Sequence, residues 1–162
     1  MKKNILLLII PFIVMSCTSE KDNTTSNTYA IGSSYDSVLV SKYGADKYGM
    51  KQYVIAFLKR GPNRSRDSLE VVRLQKAHLE NIGRLVEEGK LILAGPFLDD
   101  GELRGIYVFN VKTVEEAKAL TVTDPAIING SLVMELHPWY GSAAIMAIPE
   151  IHKKIKKISV TE

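Results

Sequence analysis

Four apolar runs of strand length, separated by two stretches with helical periodicity, constrain the fold of this 162-residue chain more than any other feature. The predicted strands cover residues 52–59, 90–98, 102–111 and 131–139. The helical stretches fill residues 67–88 and the segment that begins at Thr113. Because crossovers between parallel strands are right-handed, the order β-α-β-β-α-β predicts an α+β fold of the ferredoxin-like type, with a four-stranded antiparallel sheet and both helices on one face.

Local signals mark the ends of these elements. Asp67 or Ser68 can cap the first long helix, and Gly89 is a natural stop for it. Residues 99–101 read Asp-Asp-Gly, a turn that is expected to join the second and third strands in a hairpin. A short helix is expected within residues 35–43.

The predicted strands are apolar on both faces. Residues 53–58, 91–94 and 106–109 are continuously apolar, whereas an antiparallel sheet with one solvated face alternates apolar and polar residues. A bare face of this kind would exceed the few hundred Å² of apolar patch that soluble monomers expose. We therefore expect a second copy of the chain to cover the face opposite the helices, which predicts a homodimer. The alternative is that the N-terminal and C-terminal extensions cover that face within one chain.

The N-terminus is organised like a secretory signal. Lys2 and Lys3 precede an apolar stretch at residues 5–15, and Ser16 precedes Cys17, the one cysteine of the chain. Residues 13–17 resemble a bacterial lipobox, in which cleavage leaves the cysteine as a lipidated first residue. The resemblance implies a lipoprotein anchored in the bacterial cell envelope, at the outer membrane or the periplasmic face, with Cys17 as the lipidation site. An ordinary signal peptide beside an incidental cysteine is the alternative.

These features divide the chain into five segments: a signal peptide (1–16), a lipid-anchored flexible tether (17–34), an N-terminal extension (35–50), a folded domain (51–141) and a C-terminal extension (142–162). The last segment carries isoleucines at helical spacing with lysines between them. We expect it to pack on the domain or to fray, and contact with an anionic membrane surface is the alternative.

The charge pattern and the motifs exclude several function classes. The formal net charge is only +3 and the basic residues are scattered, so the sequence predicts no nucleic-acid partner. The sequence contains no metal-ligand spacing, phosphate loop or nucleophile elbow, so we expect neither a metal nor another cofactor.

Two residues are candidates for catalysis. His78 lies within the apolar stripe of the first long helix, where a buried ring needs a hydrogen-bond partner. It is either a structural histidine bonded to a backbone carbonyl or a general acid or base at the helix–sheet boundary. Asp124 precedes Pro125. One interpretation is an aspartate that stabilises a turn or caps a helix, and the other is the carboxylate that orients His78.

Four further residues are candidates for the lining of a pocket. They are Gly95, Pro96, His137 and Trp139. The alternatives are a bend in the second strand for Gly95 and Pro96, and ordinary packing of a strand end for His137 and Trp139.

Four short motifs, in this order, resemble the YCII-related (YciI-like) domain family. They are Ala77-His78-Leu79, Glu88-Gly89-Lys90-Leu91, Ala94-Gly95-Pro96 and Thr123-Asp124-Pro125. The resemblance covers about residues 51–140. It implies a dimeric α/β barrel built from two ferredoxin-like units, and an active-site pair of a histidine and an aspartate that matches His78 and Asp124. It also implies structural kinship with muconolactone isomerase and with a dehydrochlorinase of chlorinated aromatic breakdown.

The resulting hypothesis is a cofactor-independent acid–base enzyme of the lyase, isomerase or dehydrochlorinase type. His78 would transfer the proton of a small organic substrate and Asp124 would orient the ring. The alternatives are a non-catalytic dimer that binds a small ligand, and a scaffold in which His78 is part of the core.

Overall fold

The computed structural model describes residues 35–64 and 67–158. The predicted signal peptide, Cys17 and the predicted tether lie outside the described residues. The elements, in chain order, are α1 (Ser37–Tyr43), β1 (Met50–Arg60), α2 (Ser68–Glu87), β2 (Leu91–Pro96), β3 (Leu103–Phe109), α3 (Val114–Thr121), α4 (Pro125–Ile128), β4 (Leu132–Ser142), a 3-10 turn (Ala143–Ala147) and α5 (Ile148–Ile155).

The four strands form one antiparallel sheet in the order β2-β3-β1-β4. With α2 between β1 and β2, and α3 and α4 between β3 and β4, this is the ferredoxin-like arrangement. The predicted fold class is confirmed. The central strand β1 pairs with β4 along its whole length, from Met50 opposite Ser142 to Arg60 opposite Leu132. Both strands are therefore longer than the apolar runs that predicted them.

The helix ends follow the local signals. The Asp67 side chain accepts a hydrogen bond from the Leu69 N–H at 3.0 Å and caps α2. After α2, Gly89 has a φ of +67°, a left-handed conformation that glycine adopts at little cost. Thr113 and Glu116 form a reciprocal capping box at the start of α3. The chain after α3 differs from the expected simple turn, because Asp124 caps the additional short helix α4.

Two hydrophobic clusters lie on opposite faces of the sheet. The larger one fills the space between the sheet and the helices, and it includes Val54, Ala56, Leu58, Leu85, Tyr107, Phe109 and Ala117. The smaller one buries Tyr53, Ile92 and Val108 on the other face, under Ile145, Met146 and Ile148 of the C-terminal segment. The C-terminal segment thus covers one end of that face within the same chain, which agrees in part with the alternative to a second copy.

The rest of that face is only partly covered, and we call it the open face. Its apolar members are Ile55, Phe57, Ile106, Val133 and Trp139, of which Val133 and Trp139 are exposed. Lys59, Glu135 and His137 lie among them, and Glu135 forms an ion pair with Lys59 and a hydrogen bond with His137. Among the described residues, no helix has the length and apolar character needed to cross a membrane.

Two leucines of α2 offer a direct test of the larger cluster. Leu85 is buried against the sheet and Leu69 is exposed on the same helix. We expect Leu85→Ala to lower the free energy of unfolding by about 2–5 kcal/mol, because it removes buried methyl groups and leaves a cavity. The matched control Leu69→Ala should change it by no more than about 0.5 kcal/mol. Urea unfolding measures both, and equal effects would contradict the packing of α2.

Candidate active site

His78 and Asp124 form a buried hydrogen bond between two helices. His78 lies on α2, Asp124 is the N-terminal cap of α4, and 46 residues separate them in the chain. The distance from His78 Nδ1 to Asp124 Oδ2 is 2.7 Å. Only 10% of the His78 side chain and 1% of the Asp124 side chain are exposed. The structure therefore brings the two candidate catalytic residues together.

The second oxygen of the carboxylate is also engaged. Asp124 Oδ1 accepts a hydrogen bond from the backbone N–H of Ala126 at 2.9 Å, in the first turn of α4. The aspartate thus caps a helix with one oxygen and holds the histidine ring with the other. With both oxygens bonded, the carboxylate fixes the position of the ring and favours the tautomer that carries its proton on Nδ1.

Tyr107 lies on the other side of the ring. This residue of β3 is buried, and its hydroxyl oxygen is 3.3 Å from His78 Nε2. The two rings are nearly parallel, with an interplanar angle of 20° and centroids 6.2 Å apart. Burial raises the pKa of the Tyr107 phenol above its usual value, and the negative charge of Asp124 raises it further. The phenol therefore keeps its proton, and its O–H can donate a hydrogen bond to Nε2 of the His78 ring when that nitrogen is unprotonated.

Sequence reasoning missed Tyr107. It lies in the apolar run Ile106-Tyr107-Val108-Phe109, where it resembles an ordinary core aromatic. The signal that could have found it is the alternation of strand residues, which places Tyr107 on the same face as Phe109, the face that carries the helices. A hydroxyl group on that face needs a polar partner, and His78 is the polar residue in the apolar stripe of α2.

Arg84 of α2 forms a hydrogen bond with Thr123, the residue before Asp124. Arg84 Nη2 donates hydrogen bonds to Asn81 Oδ1 at 2.7 Å and to Thr123 Oγ1 at 2.8 Å. Its Nη1 donates to Glu88 Oε1 at 2.7 Å. Asn81 is buried one helical turn after His78, so these contacts hold the Thr123–Asp124 segment against the helix that carries the histidine.

The four residues predicted to line a pocket form two pairs that lie far apart. Gly95 and Pro96 belong to β2, whereas His137 and Trp139 belong to β4, and these strands form opposite edges of the sheet. Three strand spacings of about 4.8 Å separate the edges, which is about 14 Å. Within one chain, the structure does not bring these residues together. A pattern along the sequence locates strand ends but does not tell which edge of a sheet each strand occupies.

His137 and Trp139 lie on the open face, away from His78. The imidazole of His137 is 2.8 Å from Glu135 and meets the ring of Phe57 edge-on, with centroids 5.7 Å apart. Trp139 packs at a tilt against Tyr53. His137 is therefore hydrogen-bonded at the surface and does not contact the buried pair of His78 and Asp124.

Two concavities of the described chain lie elsewhere. One has a volume of about 510 Å³ and is lined by residues that include Lys90, Asn110 and Lys112. The other, of about 350 Å³, lies between α1 and the 3-10 turn and is almost wholly apolar. Neither is lined by His78. Within residues 35–64 and 67–158, no group of three or more His, Cys, Asp or Glu side chains is placed to hold a metal ion.

Comparison with known proteins identifies a family. The model of the YCII-related domain matches residues 53–140. No curated protein matches the chain significantly. A similar solved structure is the 5-chloro-2-hydroxyhydroquinone dehydrochlorinase of Burkholderia phenoliruptrix in complex with 2,5-dihydroxybenzoquinone. It is 18% identical, with a TM-score of 0.40, and the alignment covers 55% of this chain and 93% of that chain.

The raised pKa of Tyr107 predicts a pH dependence of stability. In the unfolded chain a tyrosine loses its proton near pH 10, whereas the folded protein keeps the Tyr107 proton to higher pH. The unfolded state then binds fewer protons, so the free energy of unfolding falls as the pH rises above about 10. Tyr107→Phe should remove the contribution of Tyr107 to this fall. The contributions of Tyr53, whose pKa burial raises, and of Tyr140, whose pKa its hydrogen bond to Asp46 raises, should remain.

Urea unfolding at a series of alkaline pH values measures this difference. The matched control is Tyr48→Phe, since Tyr48 is exposed, and it should follow the wild-type curve. An unchanged alkaline slope in Tyr107→Phe would contradict the buried, protonated phenol.

Proposed function

The chain belongs to the YCII-related domain family, and from this premise we propose that it is a cofactor-independent acid–base enzyme acting on a small organic molecule. The observation that carries the proposal is the buried hydrogen bond of 2.7 Å between His78 and Asp124. Removing a charged carboxylate from water costs several kcal/mol, and apolar packing often stabilises a core as well or better. Buried titratable pairs of this kind are enriched at functional sites.

The proposed chemistry is a proton transfer at His78 Nε2. Asp124 holds the Nδ1 proton, so the lone pair of Nε2 accepts a proton from a C–H or O–H bond of the substrate. The carboxylate then stabilises the imidazolium that forms. In an isomerisation, the proton returns to another atom of the substrate. In an elimination, the electron pair of the broken bond forms a double bond and the leaving group departs with its own electrons.

Tyr107 supplies a protonated phenol beside the reacting nitrogen. Its hydroxyl can donate a hydrogen bond to negative charge that develops on a substrate oxygen. For this the Tyr107 hydroxyl must move away from Nε2, which it contacts at 3.3 Å, so that the substrate can reach both groups. The small exposed fraction of His78 favours a small substrate.

The second candidate is a non-catalytic protein that binds a small ligand or acts as a scaffold. The observation that favours it is that Tyr107 already contacts Nε2 and that the two concavities lie away from His78. In that case the His78–Asp124 bond fastens α4 to α2.

We also propose that Cys17 carries lipid and anchors the protein in the bacterial cell envelope, at the outer membrane or the periplasmic face. The support is the sequence alone: two lysines, an apolar stretch and a small residue directly before the cysteine.

A homodimer through the open face completes the proposal. The C-terminal segment covers Tyr53, Ile92 and Val108 and leaves apolar side chains of the edge strand β4 exposed, including Val133 and Trp139. A twofold axis would pair the same patch of two copies and remove it from water.

Proton exchange in D₂O tests the enzymatic proposal across a range of small molecules. The purified protein is incubated with a panel of small ketones and unsaturated lactones, and deuterium incorporation is followed by NMR. We expect the wild type to accelerate exchange in at least one compound. His78→Ala and Asp124→Asn should lower that rate by about 10²–10⁴-fold.

The matched control is His152→Ala, because His152 is an exposed histidine of α5. It should leave the exchange rate unchanged. If His78→Ala lowers only the free energy of unfolding and no compound depends on His78, the scaffold is the correct function.

Sedimentation velocity tests the dimer. Val133→Asp places a charge on the open face and should shift a dimer toward the monomer, since two like charges would meet across the twofold axis. Val72→Asp is the matched control, because Val72 is exposed on α2, on the helical side of the sheet. A wild-type protein that sediments as a monomer at all concentrations would rule the dimer out.

A further inference from the structure

The helices α1 and α5 expose apolar side chains on one part of the surface. Every residue of both helices is at least partly exposed. In and after α5, the exposed fractions are 53% for Ile151, 74% for Ile155 and 66% for Ile158. In α1, Val38 and Leu39 are exposed as well. Isoleucine is a residue that proteins usually bury, so several exposed isoleucines on one segment indicate a surface that contacts a partner.

The apolar stripe of α5 begins in the core and continues into solvent. Ile148 packs against the buried cluster of Tyr53, Ile92 and Val108. Ile151 and Ile155 follow three and seven residues later, on the same face of the helix. The packing that covers Ile148 does not reach them.

Lysines flank the exposed isoleucines. Residues 148–158 contain Lys153, Lys154, Lys156 and Lys157 and a single acidic residue, Glu150. The excess of three positive charges equals the formal net charge of the whole chain, which is +3. Glu150 forms ion pairs with Lys154 at 3.2 Å and with Lys42 of α1 at 2.9 Å. We call the surface formed by α1 and residues 148–158 the basic ridge.

We propose that the basic ridge docks onto an anionic lipid bilayer, with its isoleucines at the acyl boundary and its lysines among the headgroups. An amphipathic segment with apolar residues on one face and lysines around them is typical of helices that lie in the membrane interface. The proposal deepens the proposed envelope location and rests on the lipid anchor at Cys17.

The position of the predicted anchor agrees with this docking. The segment 17–34 comprises 18 residues, whose extended length is at most about 60 Å. It leads directly into α1, and the ion pair between Lys42 and Glu150 joins α1 to α5. A lipid on Cys17 would therefore keep the basic ridge within about 60 Å of the bilayer, which raises its effective concentration at the membrane surface.

The charge of the ridge favours lipid over a second copy of the chain. Protein interfaces are depleted in lysine at their centre, and a twofold contact through α5 would bring two positively charged segments together. Anionic headgroups instead attract lysines, and each lysine near the membrane surface raises the affinity for the bilayer about fivefold.

Hydrogen–deuterium exchange of the membrane-anchored protein tests the proposal. The protein, purified from bacterial membranes, is reconstituted into vesicles of phosphatidylcholine alone or with phosphatidylglycerol. We expect amides of residues 148–158 to exchange at least about fivefold more slowly in the anionic vesicles, and high salt should reverse the effect. Replacing Lys153, Lys154, Lys156 and Lys157 by Gln, or Ile151 and Ile155 by Ser, should abolish the protection. The matched control is Lys76→Gln, an exposed lysine of α2.

Each outcome decides between the occupants of the ridge. Equal exchange in the two kinds of vesicle would overturn the proposal. Protection that depends on protein concentration, without vesicles, would assign the ridge to a second copy and would also overturn it. If the protein leaves neutral vesicles but stays on anionic ones in a lysine-dependent way, the lipid anchor fails and the docking surface stands.

Discussion

A sheet that is apolar on both faces must be covered twice, and the rest of this structure follows from that constraint. The helices cover one face, where Val54, Ala56 and Leu58 of the central strand are buried. On the other face, the C-terminal segment buries Tyr53 and its neighbours but stops short of the open face. The same central strand therefore supplies both clusters, through alternate side chains.

The helical side of the sheet also holds the candidate active site. His78, Asp124 and Tyr107 come from a helix, a helix cap and a strand, and the packing of α2 and α4 against the sheet brings them together. Their polar atoms are bonded to one another or to the backbone of α4, so the core tolerates them. A proton site in this position is shielded from bulk water, which strengthens the interaction between the carboxylate and the ring.

The proposed activities use separate surfaces. The histidine pair lies between helices and sheet, the open face lies on the opposite side of the sheet, and the basic ridge lies on α1 and the C-terminal segment. If the proposed membrane contact and the proposed dimer both form, this separation would keep the candidate proton site apart from both of them.

Residue patterns along the chain are enough to establish the order of the elements, most of their ends and two catalytic candidates, His78 and Asp124. Apolar runs indicate the strands, and the ends of the helices are indicated by Asp67, Gly89 and Thr113. His78 is recognisable as the polar residue within the apolar stripe of the first long helix. Such signals act between residues only a few positions apart, so they can be recognised without coordinates. From the sequence alone, the pairing of His78 with Asp124 is a hypothesis that the resemblance to a family supports.

Which distant residues meet became clear only in the folded chain. Folding places the Tyr107 hydroxyl against His78. It also lets one carboxylate, that of Asp124, both cap α4 and bind His78. Gly95 and His137 come to lie at opposite edges of the sheet. Folding also lays the C-terminal segment over one end of the second apolar face. Contacts between residues 29 or 46 positions apart depend on strand register and helix docking, and the whole core sets these together, so no local pattern can specify them.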